Sequence, residues 1–301
     1  VITSEGIKPI KQVNTGDLVW TGSEFAPCQQ LGSKTCSVLK IYTDCGEVVC
    51  SAEHLVLSSD SRHGIGEFRH AGDLKVGQFM KHVGKVLSSD DVQSKFSYGN
   101  VYNPKGGVPR KEIHVDKILY DFWFSLGFFL GDGNFLRDKS GGYRGIAISV
   151  GHQDIDNIPR IQAGFKEVGI DTCIRTLKKK ECFDVTSVYT KSQNLTDLFL
   201  DLDFGTNAFT KKVPSVVFRL GNKQRSLFLR GLFSSDGCCN TGVSYTSVSY
   251  TLVCEVRELL WTFGISSRIS QRKDTEAYTL YVHDKEKFFE YVGFEGERRK
   301  S

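Results

Sequence analysis

Two aspartates, Asp132 and Asp236, each close a run of apolar and small residues and are each followed at once by glycine: LGFFLGDG at 126–133 and LRGLFSSDG at 229–237. On a helix Gly127 and Gly131 share a face, as do Gly231 and Ser235, and small residues four apart let two backbones approach closely. Phe128, Phe129, Leu130, Leu232 and Phe233 then belong in the cores of their own halves. Each acid falls at a helix C-terminus, where the helix dipole disfavours it. Two such acids brought together repel, so the arrangement costs stability unless a cation offsets it. Carboxylates, phosphate oxygens and waters make an all-oxygen shell suited to Mg2+, or to Mn2+ in its place. A cation held this way can polarise a phosphate, ready a water and stabilise a leaving oxygen. Gly133 and Gly237 are expected to take the left-handed turn that ends each helix.

A single Gly-Asp-Gly is ordinarily a turn with a surface carboxylate. What argues otherwise here is an internal repeat. FWFSLGFFLGDGNF precedes the strand RGIAISVG, the helix DIDNIPRIQAGFKEVGI and the strand ECFDVTSVY, while RSLFLRGLFSSDGCC precedes VSYTSVS, TLVCEVRELLWTFGI and AYTLYVHD. Asp132 and Asp236 lie 104 residues apart, and the closing Gly169 and Gly264 follow them by 37 and 28 residues. Two αββαβ-like units in one chain predict a pseudo-twofold molecule and a monomer, since both halves are already present.

Before the repeat, residues 1–96 read as all-β: short apolar alternations such as GDLVWTG, SVLKIYTDCG and EVVCSAEHLVLSS stand between glycines. Residues 97–117 carry Gly, Pro and Asn with no apolar period and read as a linker or a loop that touches a ligand. The repeat occupies 118–301. At 301 residues two domains are expected, because single cores stop growing at roughly 250 to 300 residues. With 40% hydrophobic residues and 21 Phe the chain fills real cores. It has no apolar run of membrane-spanning or signal-peptide type, so a soluble intracellular protein is expected. Nine cysteines in no paired C-x-x-C pattern fit reduced thiols rather than disulfides or zinc. The net charge of +4 neither demands nor forbids nucleic acid. Local clusters are more telling: Lys178, Lys179 and Lys180, then Lys211 and Lys212, with Arg219, Lys223, Arg225 and Arg230 following, can lay cations along a phosphate backbone.

The paired segments LGFFLGDG and LRGLFSSDG resemble the two motifs of LAGLIDADG homing endonucleases, of the kind carried inside inteins. That resemblance implies a pseudo-twofold α+β endonuclease domain whose two motif helices form the interface between halves. It also implies metal held by Asp132 and Asp236, sheets that saddle double-stranded DNA at a long target site, and staggered double-strand cuts. KKVPSVVFRL resembles the family's Lys-x-x-Pro block. Its Lys211, 25 residues before Asp236, is the first choice for a catalytic cation that offsets charge on the phosphoryl group, with Lys212 as its rival. In the far half the choice lies between Lys273, preferred, and Arg272.

The β-rich opening resembles the early blocks of an intein splicing domain of the Hint fold. Ser51, Ala52, Glu53 and His54 stand where that family has Thr-x-x-His, which marks Ser51 and His54 as a splicing remnant. The sequence begins at Val1 and ends in GERRKS, without the family's leading nucleophile or final His-Asn. Covalent chemistry cannot be supplied by neighbours. As the residues stand the chain is expected not to splice, its termini trimmed or its last segment lying on another polypeptide.

Strands that give one face to helices can give the other to DNA, where polar side chains read base edges and basic ones fix the backbone. Arg144, Ser149, Tyr245, Ser247 and Arg268 are candidates for base edges. Lys178, Lys179, Lys180, Lys212, Arg225 and Arg272 are candidates for phosphates, and Lys105, Arg110 and Lys111 extend the footprint if 97–117 touches DNA. The competing readings are a cleavage-inactive, sequence-specific DNA-binding protein and an intein whose nuclease is vestigial.

Overall fold

A computed structural model describes the chain except for residues 5, 22–23, 44–45, 62–63, 81–95, 99–112, 116–118, 178–184, 241, 273–274 and 297–301. The opening third is built of short strands: β1 (Ile2–Thr3), β2 (Gly6–Ile7), β3 (Leu18–Trp20), β4 (Phe25–Pro27), β5 (Val38–Thr43), β6 (Gly46–Ser51), β7 (Leu55–Ser59), β8 (Glu67–His70) and β9 (Phe79–Met80). They form three small antiparallel sheets, ordered β2-β1-β3-β4, β5-β6 and β8-β7-β9. Val13, Val56 and Ala71 are the buried apolar residues of this region among those described, while Val38, Tyr42, Val49, Phe68 and Val76 stand exposed. Where a structureless loop was expected, β10 (Phe96–Tyr98) pairs antiparallel with β11 (Ile113–Val115).

The rest is a repeat twice over. The first copy runs α1 (Asp121–Asp132), β12 (Gly133–Arg137), β13 (Tyr143–Val150), α2 (Ile158–Glu167), β14 (Cys173–Leu177), β15 (Val185–Thr190) and α3 (Gln193–Asp201). The second runs α4 (Asn222–Asp236), β16 (Gly237–Cys238), β17 (Ser244–Ser247), α5 (Tyr250–Trp261), β18 (Ser267–Gln271), β19 (Tyr278–Val282) and α6 (Lys285–Tyr291). Each copy is therefore αββαββα rather than αββαβ. Both four-stranded sheets carry their strands in the same order, β12-β13-β15-β14 and β16-β17-β19-β18. One hydrophobic core joins the two copies, reaching from Ile113 to Phe294 and drawing no side chain from the described residues among 1–80.

Local chemistry repeats with the topology. After α2 the Gly169 and Ile170 amides bond back to Lys166 and Phe165. After α5, Gly264 and Ile265 bond to Trp261 and Leu260 in the same way. Both glycines have positive φ, 76° and 69°, which a side chain would strain. Phe129, Phe199 and Phe204 pack with ring centroids 4.8 to 5.4 Å apart. Phe233, Phe288 and Phe294 form the matching triad at 4.8 to 6.1 Å. Phe129 and Phe233 stand three residues before the two aspartates, so each aromatic triad anchors the end of one motif helix.

Candidate active site

Helices α1 and α4 cross at their small residues in a reciprocal way. A methyl group added at Gly127 would lie 1.9 Å from the Phe228 carbonyl oxygen, and one at Gly231 would lie 2.0 Å from that of Phe124. Phe124 and Phe228 occupy equivalent turns of the two helices, so the contact is that of a twofold axis. One step further on, a methyl at Gly131 would fall 1.9 Å from Ser235 Oγ and 3.2 Å from Asp236 Oδ2. The carboxylate of Asp236 thus sits over the residue that precedes Asp132. Asp132 is half-buried and Asp236 exposed.

Gly133 and Gly237 do not turn left-handed as expected. Both are extended, with φ and ψ of −87° and 152° at Gly133 and −75° and 159° at Gly237. Each helix passes directly into a strand. Glycine is needed for space: a methyl would lie 2.3 Å from the Phe129 carbonyl oxygen in one copy and 2.4 Å from that of Phe233 in the other.

Lys211 reaches this point from the segment between α3 and α4, and its ammonium donates to the Gly131 carbonyl. Burial pulls its pKa below the usual lysine value, while the charges of Asp236 and Asp132 act to raise it. Lys212 turns away and pairs with Asp203. Tyr245 lies behind the acids. Its phenol is pushed well above the ordinary range by burial first, then by the charges of Asp236 and Asp132. Sequence reading missed this tyrosine as a neighbour of the pair, because alternation alone does not say which face of a four-residue strand is covered.

The acids, the Gly131 carbonyl and the lysine make an oxygen-rich, compact site. Among the described residues no group of three or more His, Cys, Asp or Glu side chains gathers as a metal cluster. Two carboxylates from the protein leave the remaining positions to water and phosphate. That fits Mg2+, which parts with its waters reluctantly.

The other expected site residues scatter. Arg225 is corrected from a phosphate contact: it is 2% exposed inside α4, donates to Asn222 Oδ1 at 2.6 Å, and burial lowers its pKa to about 10. Tyr245 is corrected too, being 1% exposed with its ring on Phe233. Ser247, two residues on, shares its inward face. Arg144 is exposed at the start of β13 and bound to Asp138 at 2.9 Å. Ser149 faces outward in register with Ser187 and Arg175. Arg268 faces outward in register with Tyr281 and Ser244, its guanidinium 5.1 Å from the Tyr281 ring. Arg272 is exposed at the end of that sheet. Lys105, Arg110, Lys111, Lys178, Lys179, Lys180 and Lys273 lie outside the described residues. In chain order Lys273 falls between β18 and β19, as Lys178, Lys179 and Lys180 fall between β14 and β15, and not in the position of Lys211.

One family model matches the second copy, α4 through α6. Residues 223–293 match the family model of the LAGLIDADG-like domain. The chain is 22% identical over 305 residues to a DNA polymerase of Thermococcus hydrothermalis, which covers 96% of this chain and 17% of that protein. It is 30% identical over 127 residues to the replicative DNA helicase DnaB of Rhodothermus marinus, covering 37% of this chain and 14% of that one. A third relative, the glutamine–fructose-6-phosphate aminotransferase of Methanocaldococcus jannaschii, is 25% identical over 187 residues, which are 56% of this chain and 16% of that one. The chain thus spans under a fifth of the length of each of these relatives. Among solved structures, I-DmoI in complex with DNA and Mn aligns with 57% of this chain and 95% of its own, at 16% identity and a TM-score of 0.45. The matched copy carries Asp236, and Asp132 ends α1 of the other copy.

At the opening, Ser51 ends β6 and His54 stands exposed beyond it, its amide bonded to the Ser51 carbonyl at 3.0 Å. Cys28, Cys36, Cys50, Cys173, Cys238, Cys239 and Cys254 are free thiols, with Cys36, Cys173 and Cys238 exposed rather than in a core, and Cys45 and Cys182 lie outside the described residues. No helix among the described residues is long and apolar enough to cross a membrane.

Proposed function

We propose that this chain is the site-specific endonuclease of an intein, hydrolysing both strands of a long DNA target and leaving staggered ends. The observation that carries the reading is the reciprocal helix crossing, which sets Asp132 and Asp236 at one point beside Lys211. Asp132 and Asp236 would hold a divalent ion, Mg2+ or Mn2+, whose charge favours phosphodiester hydrolysis when bound. In the hydrolysis a water oxygen bonds to phosphorus, a P–O ester bond breaks, and the water's proton ends on the departing oxygen. Lys211, fixed as a cation beside the acids, offsets charge on the phosphoryl oxygens.

DNA would lie along the outward rows of the two sheets. Those rows begin at Asn134 and Cys238, two residues beyond each acid, and continue through Ser149, Ser187 and Tyr189 in one sheet and Ser244, Tyr281 and Arg268 in the other. Arg175 and Arg272, both exposed, would meet phosphates. Similarity to short stretches of a polymerase, a helicase and an aminotransferase is what an insert with its own activity would give, and supports the intein reading. The poorly covered apolar side chains of residues 1–80 support a Hint-like domain, spanning 1–96, that further strands complete.

The test is Mg2+-dependent cleavage of a library of randomised duplex DNA, run beside Asp132→Asn/Asp236→Asn. Specific cutting by the wild type that the double variant lacks bears the reading out. Selective binding without cutting by either would leave a DNA-binding protein, and neither binding nor cutting would leave a vestigial nuclease.

A further inference from the structure

Lys211 lies on an irregular segment between α3 and α4, yet its ammonium must meet the end of α1 in the same copy. A long flexible side chain on an unsupported segment would lose much of its time to other rotamers. Two side chains of the second copy grip the backbone at Lys211 and two residues after it. Ser249, 2% exposed at the N-terminus of α5, donates its hydroxyl to the Lys211 carbonyl at 2.6 Å and accepts from the Leu252 amide at 3.2 Å. The Ser249 amide is itself bonded to Ser247 Oγ at 3.1 Å. Glu255, two turns along the same helix, accepts from the Val213 amide at 2.7 Å. The two bonds span the bend at which Lys211 turns inward and Lys212 turns outward to Asp203.

We infer that Ser249 and Glu255 are positioning residues: α5 of the second copy clamps residues 211–213 so that the Lys211 ammonium is held on the Gly131 carbonyl between the paired acids. The grip comes from α5, so the cation at the end of α1 is set by an element of the second copy. Neither side chain belongs to α1 or α4, the helices that make the crossing. This rests on the endonuclease reading for its consequence in catalysis, but not for the geometry of the clamp. Glu255 lines a cavity of about 770 Å³ together with Asp203, Lys212, Val213, Arg219 and Glu258, and the residue is half-buried.

Ser249→Ala, Glu255→Ala and Glu255→Gln, each in the full chain and each confirmed to unfold cooperatively, separate the clamp from general packing. The first readout is acylation by a limiting dose of an N-hydroxysuccinimide ester, with the ratio of modified Lys211 to modified Lys212 read by mass spectrometry. The wild-type ratio is expected to be low, to rise at least threefold in Ser249→Ala and Glu255→Ala, and to stay near wild type in Glu255→Gln, whose amide oxygen still accepts. The second readout is cleavage of the duplex selected by the wild type: kcat falls about tenfold in the two alanine variants with KM nearly unchanged, and glutamine restores it. An unchanged Lys211 to Lys212 ratio in both folded alanine variants overturns the clamp. A changed ratio in a protein that cuts no DNA upholds the clamp and overturns the endonuclease reading.

Discussion

Glu255 shows how a single buried carboxylate links this site to pH. Burial pushes its pKa up to about 7, the Val213 amide and Lys212 pull it back, and Glu258 on its own helix and Asp203 add to the rise. An acid whose pKa is raised on folding stabilises the fold fully below its unfolded value, near 4.5, and loses that contribution as pH climbs through about 7. After a discount for the cavity's water, the loss at pH 8 is on the order of 1 to 2 kcal/mol. Urea unfolding at pH 5 and pH 8 should therefore show a smaller pH-dependent drop in Glu255→Gln than in the wild type, and equal drops would contradict the assignment. The same scale marks where sequence reading stops. Asp132, Asp236 and Lys211 were legible because acid-glycine pairs and a Lys-x-x-Pro block stand at telling positions. Arg225 was not, because a helix packed on several sides hides even an arginine, and no local pattern in NKQRSLFLRG separates its covered face from its wet one.

At the scale of elements, the small residues of α1 and α4 predicted their own close approach, and the reciprocal contacts at Gly127 and Gly231 bear that out. The extended glycines after the helices did not follow from sequence, since a glycine that ends a helix by a left-handed turn and one that clears a carbonyl as the chain enters a strand look alike. Against the expected αββαβ unit, both repeats gained a second strand after the second helix, β14 beside β15 and β18 beside β19, and a closing helix. The equivalent small positions differ at the next turn: Gly131 faces Ser235, whose hydroxyl occupies the space a methyl at Gly131 would need and donates to the Leu232 carbonyl at 2.9 Å. Gly131→Ser alone should overpack the crossing by about 1 to 3 kcal/mol. Gly131→Ser with Ser235→Gly moves the small side chain across the axis and should recover most of that loss, a coupling between neighbours of about 1 kcal/mol or more. A double-mutant cycle by thermal or urea unfolding measures it, and additive costs would show that the two positions do not share the space.

For the whole molecule, the two copies share one core and the opening strands stand outside it. Tyr42, Val49, Phe68 and Val76 remain exposed, and three small sheets without a common interior cannot bury enough apolar surface to be stable alone. The all-β character of residues 1–80 was legible from short alternations between glycines, but how little of it is buried was not, because alternation reports a strand's two faces and not whether anything covers either. A fragment beginning at residue 113 should therefore unfold cooperatively with a melting temperature within a few degrees of the full chain, while residues 1–96 alone should bind a hydrophobic dye and show no sharp transition. Removing the opening also strips Lys8, Pro9 and Gln12 from the wall of the Glu255 cavity, so that carboxyl regains water. Its pKa should then fall back toward the ordinary glutamate value, and the pH-dependent loss of stability should shrink in the fragment as it does in Glu255→Gln. A fragment that melts well below the full chain at pH 5, where Glu255 is protonated in both, would instead show that the opening strands stabilise the repeat directly.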